Sequence, residues 1–239
     1  MKTDWQRQPF RVKVAVIGFF IFLLLVYAGV IHATELRTQV AGDAHMDELF
    51  ASQQTGTTAS LEWGRRSDTR AEHPWFKADI SGVPAGATID SVKMKVYFTT
   101  VLSNGDVTCS LFACATNATE GGVTWDSANR GVLDWTANGG DYDTLMAAFT
   151  TNCGFGVDCY YTFSMTASGV GVFQDWLDGA RNNYGMVGRN DALGVSLRDF
   201  NSNNGTNPDS ILIYYTAGAG GPTGIEHLKS VYLKGVYIR

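Results

Sequence analysis

Between Ser91 and Thr100 the side chains alternate. Val92, Met94, Val96 and Phe98 fall on one side, and Lys93, Lys95 and Tyr97 on the other. A period of two predicts a half-buried strand with the four apolar residues facing inward. Ser210–Thr216 (SILIYYT) repeats the pattern with Ile211, Ile213 and Tyr215, and YYTFSMT from Tyr160 repeats it with Tyr161, Phe163 and Met165. WFKADI from Trp75 and VTCSLFA from Val107 add two more strands. The turn clusters GVPAGAT, SNGD, NGGD and NSNNGTNP separate these runs. One segment, SGVGVFQDWLDG, instead places Val170, Phe173, Trp176 and Leu177 at helical spacing, with Ser168 able to cap its start and Gly179 its end. Gly169 and Gly171 shorten that helix. Many strands, regular turns and one small helix predict an all-β fold, a two-layer antiparallel β-sandwich.

The N-terminus follows a different pattern. Val14 to Ile31 contains 18 consecutive positions without a charge, preceded by Lys2, Arg7, Arg11 and Lys13 against one acid, Asp4. A basic flank before an apolar run is an export signature. Eighteen residues make a helix of about 27 Å, long for a cleaved h-region and sufficient to span a bilayer. Residues 1–33 therefore read as a signal peptide or a signal anchor, an N-terminal hydrophobic helix with a membrane contact through residues 14–31 if uncleaved. Either outcome places the rest outside the cytoplasm, secreted or at the cell surface. After Thr216, AGAGGPTG reads as a linker. HLKSVYLKGVYIR (residues 227–239) reads as a strand-like tail able to make homo-oligomer contacts. The expected domains are 1–33, 34–216 and 217–239.

Composition narrows the function. Charged residues make up only 17% of the chain, glycine is abundant, and the formal net charge is −5. The four N-terminal cations belong to the export segment, so the remainder is more acidic still, and no basic surface suits nucleic acid. Four histidines and four scattered cysteines argue against a His-based catalytic metal centre. All four cysteines lie in the exported part, where an even number fits two disulfides. Cys153 and Cys159 bracket the glycine-containing loop GFGVD and are expected to pair. Cys109 and Cys114 are the expected second bridge. Their odd spacing puts them on opposite faces of a regular strand, so that pairing requires a bend; otherwise each reaches Cys153 or Cys159. A zinc site on these cysteines lacks any C-x-x-C pair.

Several segments, in this order, resemble the DNRLRE family of exported β-sandwich modules. DAHMDE (Asp43 to Glu48) is similar to its opening strand, and FKADISGVPAGATIDSVKMKVYFT to its Phe-Asp, Ser-x-x-Pro-x-Gly-x-x-Ile and long strand. VTWDSANRGVLDWTANGGDYD, TFSMTASGVGVFQDWLDGARNNYGMVGR and DFNSNNGTNPDSILIYYT resemble the segments that follow. Departures are Ala78 for a Phe, Met165 where Asp-Val is common, and Asn203 and Asn204 near a usual Glu. The resemblance covers roughly residues 43 to 216. It implies a jelly-roll-like sandwich and binding or adhesion rather than catalysis.

Sugar-binding surfaces stack aromatic rings on pyranose faces and ring them with polar groups. Trp125 to Tyr142 has that composition, and Trp135, Tyr142, Asp141, Arg130 and Asn129 are the carbohydrate-binding candidates. Trp125 reads as a strand-end anchor, and Trp176 and Leu177 as core. Arg181, Asn182, Asn183, Tyr184 and Arg189 form a second polar cluster in which Asn-Asn-Tyr-Gly is turn chemistry. Asp43 and Asp47 are candidates for a structural calcium ion, which needs six or more oxygens from several segments. Catalysis has little support: no Gly-x-Ser-x-Gly is present, and His45, His73 and His227 lack any triad motif. The expected function is a non-catalytic carbohydrate-binding or adhesive module contacting a polysaccharide or surface glycan. The alternative is a structural subunit of an envelope, appendage or virion-like assembly that uses residues 227–239.

Overall fold

A computed structural model describes residues 33–67, 70–101, 108–151, 158–190 and 196–218. The segments 14–31 and 227–239 and Cys153 lie outside the described residues. The described residues from Thr34 to Gly218 belong to one compact unit. Twelve strands are found among the described residues: β1 (Thr34–Asp47), β2 (Ser60–Ser67), β3 (Arg70–Ala78), β4 (Thr88–Val101), β5 (Thr108–Cys114), β6 (Ser127–Asn129), β7 (Leu133–Asp134), β8 (Tyr142–Thr150), β9 (Cys159–Ser164), β10 (Met186–Arg189), β11 (Ser196–Asn201) and β12 (Ser210–Thr216). One helix, α1 (Ala167–Asp178), accompanies them. No helix among the described residues is long and apolar enough to cross a membrane.

Every strand pairing is antiparallel. β1 does double duty, pairing β12 through Thr34–Gln39 and then β3 through Val40–Asp47, with a register shift between Val40 and Gly42. β4 pairs β12 through Thr88–Lys95 and β11 through Phe98–Val101, while β9 pairs it through Lys93–Phe98. β11 pairs β2, and β2 pairs β3, so the path β1–β12–β4–β11–β2–β3 returns to β1. From β3 the sheet continues through β10 and β5 to β8. The result is a closed antiparallel β-sandwich of the barrel-like kind, with few free edges.

The alternation in β4 holds as expected: Val92, Met94, Val96 and Phe98 are fully buried, as are Ile211 and Ile213 in β12. These residues join an aromatic core in which Trp63 meets Phe76 at 5.8 Å and Phe149 at 5.4 Å, and Phe149 stacks on Phe163 at 3.9 Å. The helix packs Val172, Phe173 and Trp176 on this core. Its N-cap is Thr166 rather than Ser168, because the Thr166 hydroxyl accepts from Gly169 N–H at 3.1 Å. Gly179, at φ 71°, closes the helix as expected.

The cysteine expectation needs one correction. Cys159 is disulfide-bonded, but Cys109 and Cys114 are buried thiols and form no bridge with each other. Cys109 lies in the main core, whereas Cys114 belongs to a second apolar cluster and donates its S–H to Thr116 O. The odd spacing on β5 divides them between two cores. Burial also pushes the Cys114 thiol up to about 11.

Candidate functional site

The segment between β5 and β8 folds as a cover held by buried polar anchors. Asp141 accepts hydrogen bonds from the Thr116 hydroxyl and from Thr136 and Ala137 N–H. Burial alone would raise its pKa, but these donors more than offset that and hold the carboxyl below its usual range. Ser127 N–H donates to the Thr124 hydroxyl, and Trp135 Nε1–H donates to Thr124 O at 2.8 Å. Trp135 is only 5% exposed and packs with Ala118, Val123 and Ala128 over Ala44, Met46, Trp75 and Val187.

This geometry divides the five residues expected to form one sugar site. Trp135 is a core residue of the cover and presents no free face for stacking, because its apolar neighbours occupy it. Asp141 is likewise buried and serves the turn. Asn129 is half-buried in β6, and Arg130 is exposed beside it. Only Tyr142 is both near the surface and in an aromatic setting.

That setting is the rim where the cover meets β3, β5 and β10. Trp125, half-buried, lies against His73 with ring centroids 4.9 Å apart, and His73 meets the Tyr142 ring edge-on at 6.1 Å. The Tyr142 hydroxyl donates to Gly139 O at 2.6 Å and sits 2.8 Å from His73 Nδ1. Phe112 packs on Tyr142 at 5.5 Å, and the Arg189 guanidinium lies 4.7 Å from the Tyr142 centroid. Gly139 makes the corner possible: its φ is 83°, and a Cβ there would come within 2.8 Å of the Trp125 ring. Asn138 and Asp126 add an exposed polar pair, hydrogen-bonded at 2.9 Å. Chemically, the rim combines half-exposed aromatic surface, a cation and hydrogen-bonding side chains. His73, Phe112 and Arg189 were not recognised as partners in the sequence, because the β3–β10–β5 register alone brings them together.

The second polar cluster is a built turn, as its Asn-Asn-Tyr-Gly chemistry indicates. Asn183 donates to Ala78 O and accepts from Gly185 N–H, while Trp75 Nε1–H donates to Tyr184 O at 3.0 Å. Arg181 pairs with Asp143, and both line a cleft of about 330 Å³ with Cys114, Asn182 and Tyr184.

Asp43 and Asp47 cannot share an ion, since four residues of strand separate them by about 13 Å. Asp47 is committed to Arg70 and to Leu49 N–H. Asp43 is fully buried; Asn203 N–H donates to its Oδ2 at 2.6 Å, while Oδ1 has no hydrogen-bond partner. Burial, with the charge of Glu120, lifts its pKa to about 7 despite that hydrogen bond. Asp209 is also fully buried, feels the charge of Asp43, and leaves Oδ2 without a partner, as does Asn203 its Oδ1. These orphaned oxygens come from two chain segments and suit a hard cation in donor type.

No curated protein matches the chain. The resemblance drawn from the sequence motifs is met at the level of a carbohydrate-binding module family: residues 35–134, from β1 through β7, match carbohydrate-binding module family 96, and this similarity supports a carbohydrate-binding module.

Proposed function

We propose that the sandwich is a non-catalytic module that binds polysaccharide outside the cell, and that the sugar lies along the rim formed by Trp125, Tyr142, His73 and Arg189. The observation that carries this reading is the pair of half-buried rings, Trp125 and Tyr142, held on either side of His73 with a guanidinium alongside. A pyranose stacked there exchanges its apolar face for aromatic surface, and its hydroxyls meet Arg189, Asn138 and Asp126. Buried neighbours fix the rings beforehand, so little side-chain entropy is lost on binding. A calcium ion held by Asp43, Asp209 and Asn203 would act structurally, joining β1 to the segment before β12.

Binding to a panel of neutral and acidic polysaccharides, measured by affinity electrophoresis and calorimetry, tests the reading. Trp125→Ala and Tyr142→Ala should each weaken binding about tenfold, the equivalent of one aromatic contact. Tyr160→Ala is the control on a different surface, where Tyr160 is 44% exposed, packs on Tyr97 and lies under Lys95 Nζ at 3.6 Å. Loss of binding in Tyr160→Ala with retention in the other two would move the site to that sheet face. Absence of binding to every polysaccharide would end the carbohydrate reading.

A further inference from the structure

His45 of β1, Glu62 of β2 and Glu72 of β3 converge where β3 pairs with both of the other strands. Each offers one ligand atom, and the three atoms lie within 4.8 Å of one another. Glu72 is fully buried, and neither of its oxygens accepts a hydrogen bond. His45 Nδ1 and Glu62 Oε2 are buried and equally without a hydrogen-bond partner. His45 turns its Nε2 toward Glu72 Oε2 at 3.7 Å, and the orphaned Glu72 and Glu62 oxygens beside it are costly unless something else satisfies them.

The neighbouring cations do not fully account for them. Arg66 is engaged with Glu62 Oε1. Arg70 is committed to Asp47, and its Nε lies 3.0 Å from Glu72 Oε1 without the alignment of a hydrogen bond. Around the cluster stand four carboxylates (Asp47, Glu62, Glu72 and Asp199) and two guanidiniums, Arg66 and Arg70. His45 and Glu62 keep 13% and 20% of their side chains exposed, which leaves a route for an ion.

We propose that His45, Glu62 and Glu72 bind a divalent first-row transition-metal ion, Zn²⁺ or a close equivalent, that ties β1, β2 and β3 together. One imidazole nitrogen and two carboxylates suit Zn²⁺, Co²⁺ or Mn²⁺ better than Ca²⁺, which takes oxygen ligands throughout. Closing the ligand atoms to a tetrahedral edge of about 3.4 Å requires only side-chain adjustment. Glu72 adjoins His73 in sequence, so the ion would stiffen β3 directly beside the aromatic rim. This site is separate from the oxygen cluster at Asp43.

The test uses the full chain, stripped with a chelator and titrated with Zn²⁺ by calorimetry and with Co²⁺ by visible absorption. The expected result is one equivalent of Zn²⁺ bound, a higher Tm, and Co²⁺ bands typical of a low-symmetry nitrogen and oxygen site. His45→Gln and Glu72→Gln should each lose at least tenfold in Zn²⁺ affinity together with the Co²⁺ bands, whereas Asp43→Asn should keep both. If the buried Glu72 variant does not fold, the more exposed Glu62→Gln serves in its place and must show the same loss. Absence of Zn²⁺ binding at millimolar concentration, or unchanged affinity in the folded variants, overturns the proposal.

Discussion

A single buried carboxylate, Asp141, organises much of the cover beside the rim. Its acceptor bonds to Thr116, Thr136 and Ala137 are strongest while it is ionised, and they hold its pKa below the ordinary value. A depressed carboxylate pKa contributes stability that is present above the unfolded-state value of 3.8 and is lost as the pH falls through the folded-state value. Asp141→Asn should therefore lower stability at pH 7 by about 1–3 kcal/mol, and the difference from wild type should shrink as the pH drops below 4. Chemical denaturation at pH 7 and pH 3 checks the sign. A gap that widens in acid would contradict the assignment. At the same scale, the sequence marked Trp135 and Asp141 as ligand-facing because of their residue types. Their burial beneath and within the cover is a tertiary fact that local composition does not carry.

In helix α1 local propensity and packing disagree, which makes the element testable. Gly169 and Gly171 both weaken a helix by propensity, yet they occupy different environments. A Cβ on Gly169 would approach Met146 O to 2.5 Å, whereas one on Gly171 would meet nothing within 4 Å. Gly171→Ala should thus stabilise the protein by about 0.5–1 kcal/mol. Gly169→Ala should destabilise it, because the helix must retreat from β8. Opposite shifts in thermal unfolding are the expected outcome, and equal shifts would mean that the helix does not pack this closely. Thr166→Ala should cost about 1 kcal/mol by removing the cap. Strands β4 and β12 were legible from alternation alone, since one face of each is buried. β2 and β8 were not, for physical reasons. β2 reads SLEWGRRS, with Arg66 set beside the buried carboxylate of Glu72, and in β8 the adjacent residues Met146 and Ala147 are both buried. Neither yields a clean period of two.

At the scale of the molecule, the stretch similar to the family and the unit that closes the fold are not the same length. Residues 35–134 contain β1 to β7, but the partners of β4 are β9, β11 and β12, and those of β5 are β8 and β10. A fragment of residues 34–134 should therefore remain unfolded, with the apolar face of β4 uncovered, while residues 34–218 should fold. Circular dichroism and amide dispersion in NMR spectra distinguish the two. A folded short fragment would require a different pairing scheme. The long-range closure also predicts slow, cooperative folding, since β1 must find β12 across nearly the whole domain.

The sequence by itself determined the antiparallel all-β character, the inward face of β4 and β12, the apolar face of α1 and its glycine stop. Each of these follows from periodicity or backbone chemistry within a few residues. The placement of the rim was decided elsewhere. His73, Phe112, Trp125, Tyr142 and Arg189 lie on β3, β5, the cover, β8 and β10, and only sheet register brings them within ring contact. The same holds for His45, Glu62 and Glu72, ordinary polar positions along the chain that become one partly buried cluster when three strands meet. Periodicity records which side of an element is apolar. Which elements become neighbours depends on pairing across long sequence separations, and that is a property of the closed sheet.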